Sequence, residues 1–561
     1  MRHAGLPFSF QTHEVLNQTP SLTGYNLFLR DSILRQTLDL EGAGWSAPAA
    51  EAFGWKMGTE EVIRWGFEAN ENEPRLCTHD RYGNRIDEVD FHPSWHELMR
   101  LSVQHGLHCE PWLRPIPGAH VARAALMMMA AQNEEGHLCP VSMTYSAVAA
   151  LRSEPGVADE WEPRILSREY DPRSQPARDK TGVLIGMAMT EKQGGSDVRS
   201  NSTRAEPCGA GEYAVTGHKW FCSAPMCDAF LVLAQAPRGL SCLLLPRWAP
   251  DGRRNGFHIQ RLKRKLGNRS NASSEVEFDQ ASARLVGEEG RGVPAIIEMV
   301  RHTRLDCVIA SAGLMRQAVV QAVHHAYHRT AFGRRLIDQP LMRNVLADLC
   351  LESEAATMLA MRLARAFDGG DNMAERGMAR LATAAAKYWI CKRAIPHVAE
   401  ALECLGGNGY VEESVMPRLY RETPLNSVWE GAGNVICLDV LRAMAREPDS
   451  VECVRKEIRL GYGADQRLDR YIVELEQDLD RCGSAATKGA SGSPEVFEME
   501  ARRLTERLAL ALQGSLLVRQ SIPAAIDAFL GSRLEGDWGH SAGTLNSVLD
   551  LPRIIERAWR E

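Results

Sequence analysis

Met187-Ala188-Met189-Thr190-Glu191-Lys192-Gln193-Gly194-Gly195-Ser196-Asp197-Val198 is the stretch on which the fold turns. It follows the apolar run 183–187, which has the length and composition of a strand. Its two glycines therefore fall where a chain turns and can approach a ligand closely. Thr190 and Ser196 add hydroxyls able to donate to carbonyl or phosphate oxygens. On its own the stretch is equally compatible with an ordinary loop. It is not a Gly-x-Gly-x-x-Gly sequence and no Walker-type loop occurs elsewhere, which argues against Rossmann or P-loop nucleotide binding.

Outward from it, Gly217-His218-Lys219-Trp220-Phe221-Cys222-Ser223 lies one hairpin later. Aromatic and small polar residues alternating along a strand place a flat ring and a hydroxyl near one face. Taken singly, Trp220 or Phe221 serves a core equally well. Further on, Leu425-Asn426-Ser427-Val428-Trp429-Glu430-Gly431-Ala432-Gly433-Asn434 sets a carboxylate after a large aromatic and before two glycines, ahead of an apolar helix. A glutamate at a helix start gains a few tenths to about 1 kcal/mol from the helix dipole. A carboxylate walled by Trp429 in a dry pocket has a raised pKa instead and can act as a base. The residues alone do not choose between the two.

The chain around these stretches has 561 residues, 44% hydrophobic and 24% charged, as in a soluble protein of several domains. A formal charge of −7 gives no global support for nucleic-acid binding. The 14 cysteines form no Cys-x-x-Cys pair, which predicts reduced, mostly buried thiols, with Cys222 and Cys227 as apolar fillers, and no metal site. Residues 1–20 carry no apolar run of signal-peptide length, and the apolar region 124–151 is broken by Gln132-Asn133-Glu134-Glu135-Gly136-His137, so a cytoplasmic protein without a membrane span is expected.

Helical spacing runs from about 32 to 151, broken by prolines at 111–117, with Met127-Met128-Met129 as core. Short strand-like runs follow at 183–187, 229–234, 241–246 and 274–278. Long helices are predicted over 295–327, 341–367, 375–405 and 434–444, as in an antiparallel bundle. A last helical region, 447–561, contains a Gly/Ser-rich stretch at 483–494 expected to be a flexible connection.

Together with Arg329-Thr330-Ala331-Phe332-Gly333 and Leu405-Gly406-Gly407-Asn408-Gly409-Tyr410, the three stretches quoted above resemble, in order and separation, the acyl-CoA dehydrogenase family over roughly 187–444. With Leu266-Gly267-Asn268-Arg269-Ser270-Asn271-Ala272-Ser273, the 115-residue tail and the long N-terminal section, the chain looks like the AidB branch, isovaleryl-CoA-dehydrogenase-like proteins of the adaptive response to DNA alkylation. The resemblance implies a multidomain α and β fold. It has an N-terminal α-helical domain (1–180), a central flavin-binding β-barrel domain (181–290), a long-helix bundle (291–446) and an extra helical domain (447–561).

The resemblance also implies FAD as cofactor. Met187, Met189, Thr190, Gly195 and Ser196 line it, Phe221 and Ser223 stand where the family has Trp and Thr, and Gly406, Trp429 and Asn434 belong to the same set. Arg329, Phe332 and Gln339 are similar to residues that reach the FAD of a neighbouring subunit, implying a homo-oligomer, a tetramer in the family. Glu430 stands at the catalytic base, while the isovaleryl type's base position is Thr303, before Arg304. Ser196 and Arg304 are expected at an acyl-CoA-like substrate. The implied reaction takes the acyl α-proton to Glu430 and the β-hydrogen as hydride to flavin, helped by the ribityl hydroxyl and the Glu430 N–H. Lys192 stands where the family has proline, and Trp429 where it has a smaller aromatic, from which a narrowed acyl pocket is expected.

The AidB resemblance also implies a tail that binds duplex DNA. Residues 447–561 hold 15 Lys and Arg against 20 Asp and Glu, a net charge of −5. Arg502, Arg503 and Arg507 share a helical face, Arg553, Arg557 and Arg560 form a second cluster, and 260–265 a third. Each is either a phosphate-binding face or a solvated surface, and the tail is otherwise a packing or oligomerisation element. Two functions follow: an FAD-dependent acyl-CoA dehydrogenase, or a DNA-associating flavoprotein with little or no dehydrogenase activity.

Overall fold

The structure, a computed structural model, describes residues 12–488 and 494–559. Helices Ser32–Leu40, Ala47–Met57, Glu60–Glu71, Pro93–Gln104, Ala119–Asn133, Leu138–Leu151 and Pro155–Ile165 build the first layer. Their starts are written locally: Asp31 accepts from the Ile33 and Leu34 N–H groups, and Thr59 accepts from Val62 ahead of Glu60 and Glu61. Met127, Met128 and Met129 are core. The break at 111–117 opens with a short helix, Glu110–Leu113, because Pro111 fits a first helical turn.

One departure from the helical expectation is the hairpin Arg75–His79 with Arg85–Asp90. Its turn is closed by Asp80, which accepts from the Tyr82 and Asn84 N–H groups. The hairpin leans on the central sheet through Arg85 to the Ile259 carbonyl (3.1 Å) and Arg254 to the Ile86 carbonyl (2.6 Å).

The expected β-barrel closes strand by strand. Arg204–Gly209 pairs with Glu212–Ser223, which pairs with Ser273–Leu285, which meets Gly239–Pro246, which pairs with Ala229–Ala236. Ala229–Ala236 returns to the first strand through Arg204 opposite Gln235. Ile185–Ala188 adds in parallel to Ala229–Ala236, and Phe257–Leu262 adds to Ser273–Leu285. Leu231, Val232, Leu243 and Ile259 are fully buried, so the ring encloses an apolar core.

Gly292–His328, 37 residues long, is apolar around most of its circumference and buried accordingly. It packs with Pro340–Asp368 and Thr383–Cys404. The helix expected over 375–405 is interrupted by a π-turn at Met378–Ala382. A further helix, Met416–Val428, had no sequence expectation, since Pro417 and Pro424 disguise it; Gly433–Arg446 follows after a short break.

The tail is bolted onto this bundle. Its helices Pro448–Arg459, Gln466–Lys488, Pro494–Gln520, Pro523–Phe529 and Leu551–Ala558 bring buried charges to opposite charges. Arg533 meets Asp348 and Glu352, Glu457 meets Arg362 at 2.7 Å, and Arg557 meets Glu354 at 2.7 Å. The tail is thus a packing element. The centre of the expected flexible connection, 489–493, and Arg560 lie outside the described residues. Among the described residues no helix is long and apolar enough to cross a membrane, and no His/Cys/Asp/Glu group is placed to hold a metal.

Candidate active site

The Ile185–Ala188 strand delivers its residues in alternation: Gly186 and Ala188 are buried, while Met187 and Met189 keep one side half open. Beyond it the chain doubles back. A Cβ at Gly195 would stand 2.3 Å from Thr190 Oγ1, so only glycine lets the loop fold onto Thr190. Ser196 is exposed at its tip. Glu191, in the middle of the stretch, turns inward. It pairs with Lys219 Nζ at 2.8 Å and accepts from the Ser202 N–H (2.7 Å) and the Thr203 N–H (3.2 Å), with no exposed side-chain surface. The Trp220 N–H bonds the Thr190 carbonyl at 2.8 Å, so loop and strand are tied twice. Lys192 donates its backbone N–H to His218 Nε2 at 3.1 Å, a bond the family's proline could not make.

On Glu212–Ser223, Lys219 lies opposite Val276 and Cys222 opposite Ser274, leaving one extra residue at Trp220-Phe221. This bulge re-aims the aromatics. Phe221 is 50% exposed, with Lys263 Nζ 4.4 Å from its ring centre. Ser223 shares its open face and lies 3.4 Å from Ser273, which accepts from Lys265 Nζ at 3.0 Å. Cys222 and Cys227 are fully buried fillers.

Glu430 is not a helix-start residue. It sits in the break between Met416–Val428 and Gly433–Arg446 with φ +58°, followed by Gly431 at φ +112°. A left-handed non-glycine residue costs about 1–3 kcal/mol and persists only where its surroundings over-determine it. Here they do. Lys387 Nζ donates to the Trp429 and Gly431 carbonyls at 2.8 and 2.5 Å, and Arg304 Nε donates to the Glu430 carbonyl at 3.0 Å. Arg304 is held in turn by Asp439 at 2.7 Å. The side chain receives Thr303 Oγ1–H on Oε2 at 2.8 Å. Burial pushes the Glu430 carboxyl above its ordinary range, and the Thr303 hydrogen bond and the Arg304 and Lys387 charges offset only part of this. Trp429 is pinned by Nε1–H to Asn426 Oδ1 at 2.9 Å.

The two halves converge at Cys139. Burial raises its thiol to about 12, and its neighbours include Lys265, Asn271, Glu430 and Ser223. Glu430 and Ser223, the last residue of Glu212–Ser223, thus both act on this one buried thiol. Arg304, expected at the substrate, is committed to the Glu430 backbone. Two residues in this arrangement carried no expectation: Lys387, a buried lysine whose signal was its place in the apolar run Ala384-Ala385-Ala386-Lys387-Tyr388-Trp389, and Cys139.

The remaining candidates lie apart. Phe332, at φ +52°, is 99% exposed on the tip of the Thr330–Ala331/Arg334–Arg335 hairpin, so it packs against none of the described residues. Gln339 braces that hairpin at the Ala331 carbonyl (3.1 Å), and Arg329 donates to the Asn17 carbonyl. Gly406 takes φ +60° with open space where a Cβ would stand. Asn434 Oδ1 accepts from Arg502 Nε at 2.8 Å.

The other arginines of that trio differ. Arg507 is paired with Glu474 (3.1 Å) and Asp478, while Arg503 is exposed beside Asp478, Arg481 and Glu500. Arg553 and Arg557 pair with Glu556 and Glu354. Within 260–265, Arg261 and Lys263 both meet Glu275.

Three family descriptions match in sequence: the adaptive response protein AidB N-terminal domain over 17–172, the acyl-CoA dehydrogenase middle domain over 186–281, and the acyl-CoA dehydrogenase C-terminal domain over 290–445. AidB of Escherichia coli (strain K12) is 48% identical over 472 residues, 84% of this chain and 87% of that protein. The crystal structure of Caenorhabditis elegans ACDH-11 in complex with C11-CoA has 27% identity and a TM-score of 0.83, covering 94% of each chain. A glutaryl-CoA dehydrogenase from Mycobacterium smegmatis in complex with FADH2 has 20% identity and a TM-score of 0.57, covering 73% of this chain and 98% of its own, and shares the fold. Helical layer, barrel, bundle and tethered glutamate, with these matches over most of the length, place the chain in the acyl-CoA dehydrogenase family, with an N-terminal domain of the AidB type.

Proposed function

We propose that the chain is an FAD-dependent acyl-CoA dehydrogenase in which Glu430 removes the substrate's α-proton. The observation that carries this is Glu430 itself: a partly buried carboxyl with a raised pKa, its side chain bonded by Thr303 and its left-handed backbone held by two cations. Strain of this kind is characteristic of functional sites. The residues present fit a flavin. An open aromatic face at Phe221, a hydroxyl on the same face at Ser223, the half-open Met187, Met189 and Thr190 and the close-folded Gly195 offer the stacking and hydrogen-bonding surfaces an isoalloxazine needs.

When bound, FAD supplies the acceptor for the β-hydrogen and its electron pair. Glu430 takes the α-proton on its carboxylate as the α–β double bond forms, and Thr303 holds the other carboxylate oxygen in place. The Glu430 N–H serves the thioester oxygen as charge develops on it. The C11-CoA complex of the Caenorhabditis elegans relative supports an acyl-CoA substrate. Anaerobic titration with a panel of acyl-CoA thioesters tests the proposal: at least one should bleach the bound flavin, and a flavin left oxidised by every thioester would contradict it.

Thr303 donates to the ionised form of Glu430, so it lowers a pKa that burial raises. Thr303→Val removes that bond and moves the pKa up. The acid limb of the kcat/KM profile, where rate rises as Glu430 ionises, is expected to shift to higher pH; an unmoved limb would contradict the assignment. Trp429, its indole fixed to Asn426, narrows the acyl pocket. Slow turnover of octanoyl-CoA is expected, with Trp429→Tyr faster, and brisk wild-type turnover would refute the narrowing.

Arg329, Phe332 and Gln339 are assigned to the flavin of a neighbouring copy, and the exposed Phe332 supports a homo-oligomer. The DNA-associating reading draws on Arg503, which has no ion pair among the described residues, against a tail of net charge −5.

A further inference from the structure

The basic run 260–265 ends on a cation unlike its neighbours. Arg261 and Lys263 both meet Glu275, at 2.7 and 2.8 Å. Lys265 is partly buried, yet it forms no ion pair among the described residues. Its Nζ donates instead to the Asn271 carbonyl at 2.5 Å and to Ser273 Oγ at 3.0 Å. Burial lowers its ammonium to about 8, while Cys139 and the carboxylates of Glu422, Glu73 and Glu134 pull the other way from beyond ion-pair distance. Closing the 266–270 loop on Asn271 takes only a neutral donor. A partly buried charge without a counter-ion costs stability, and such groups gather at functional sites.

The second bond leads to the candidate flavin surface. Ser273 is buried and stands directly opposite Ser223 where Ser273–Leu285 pairs with Glu212–Ser223. Both hydroxyls therefore fall on one face of the sheet, 3.4 Å apart. An ammonium only donates, whereas a hydroxyl donates once and also accepts. With Lys265 filling a lone pair of Ser273, the Ser273 O–H goes to Ser223. The Ser223 O–H is then turned outward, on the side it shares with Phe221. Lys265 also reaches the other half of the site, since it and Glu430 both act on the Cys139 thiol.

We propose that Lys265 is a positioning residue for FAD: through Ser273 it presents the Ser223 hydroxyl as a donor to the isoalloxazine, and its charge favours the reduced flavin over the oxidised. The assignment rests on the flavin reading above and deepens it. In the reaction proposed there the thioester is oxidised, its α-proton going to Glu430 and its β-hydrogen leaving with the bonding pair to the flavin. A fixed cation at the receiving end stabilises the electron-rich product of that transfer. Lys265 takes no proton in this scheme; it sets how readily the electron pair is accepted.

The test is the flavin midpoint potential of the full-length holoprotein, measured anaerobically against a reference dye during dithionite reduction. Wild type, Lys265→Met, Lys265→Arg and Ser273→Ala are compared. Lys265→Met should shift the equilibrium about tenfold toward oxidised flavin, the weight of one charge-assisted hydrogen bond, or ~30 mV for a two-electron couple. Lys265→Arg keeps the charge and the donors, so its potential should return most of the way to the wild-type value. Ser273→Ala keeps the charge and the Asn271 bond but cuts the relay, and should fall between wild type and Lys265→Met.

Equal potentials in wild type and a flavin-loaded Lys265→Met overturn the inference and leave the flavin reading standing. Equal shifts in Lys265→Met and Lys265→Arg assign Lys265 to loop packing and also overturn it. An unchanged Ser273→Ala does the same, and that variant decides alone should Lys265→Met fail to hold flavin. A wild type that does not bind FAD overturns both the inference and the flavin reading.

Discussion

Glu430→Gln holoprotein, mixed anaerobically with an acyl-CoA that bleaches the wild type, should bleach at least about a hundredfold more slowly, the lower end of what a positioned general base contributes. Glutamine keeps the volume and can still accept from Thr303, and the carbonyls of Trp429, Glu430 and Gly431 keep their tethers to Lys387 and Arg304. What is lost is the capacity to take a proton. Thioester affinity and flavin content should therefore change little, which separates a chemical effect from a misfolded loop. Bleaching at the wild-type rate would remove Glu430 from the mechanism.

The second large effect is expected at Lys219. Lys219→Met leaves Glu191 without its cation in a site with no exposed side-chain surface. Breaking a buried pair by removing one partner costs about 3–5 kcal/mol. Burial alone would raise the Glu191 carboxyl, but the hydrogen bond and charge of Lys219, with Thr203 and Ser202, hold it far below the ordinary carboxylate range. A group depressed in this way stabilises the fold at pH above its unfolded value, and the contribution fades as pH falls toward the folded one. The wild type should thus lose stability on acidification, and Lys219→Met should lose less because its share is already gone.

The pair also fixes Thr190 beside the Phe221 bulge, so flavin retention should fall with stability. Glu191→Leu combined with Lys219→Met should recover only part of the loss, since the Ser202 and Thr203 N–H groups then lose their acceptor. Urea unfolding of the wild type and the two variants measures this; a single Lys219→Met that unfolds like the wild type would contradict it.

The long helices were legible because their burial is nearly all-round, so apolar content and length alone mark Gly292–His328 and Pro340–Asp368. The strands with continuous apolar runs were legible for the same reason. Arg204–Gly209 and Phe257–Leu262 were not, being largely polar on the face away from the core, and the Arg75–Asp90 hairpin hid in a charged stretch within helical surroundings.

At the site, the order of the motifs picks out candidate residues, but not which of them meet or how they face. Glu191 belongs to the stretch expected to line the flavin and points instead into the barrel wall. Glu430 has the sequence of a helix start and the backbone of a strained turn. Arg507 matched a basic helical face, yet its partners Glu474 and Asp478 come from the preceding helix, a pairing no local spacing reveals. Thr303 was legible only as the place where an alternative base is missing; its hydrogen bond to Glu430 is a contact across 127 positions.

The central claim is that Glu430 takes a proton from the carbon next to the thioester. Incorporation of solvent deuterium at that α-carbon, followed by mass spectrometry with a bound acyl-CoA in D2O, tests it most directly. The account predicts exchange in the wild type and none above the uncatalysed rate in Glu430→Gln. Equal exchange in both proteins would contradict it.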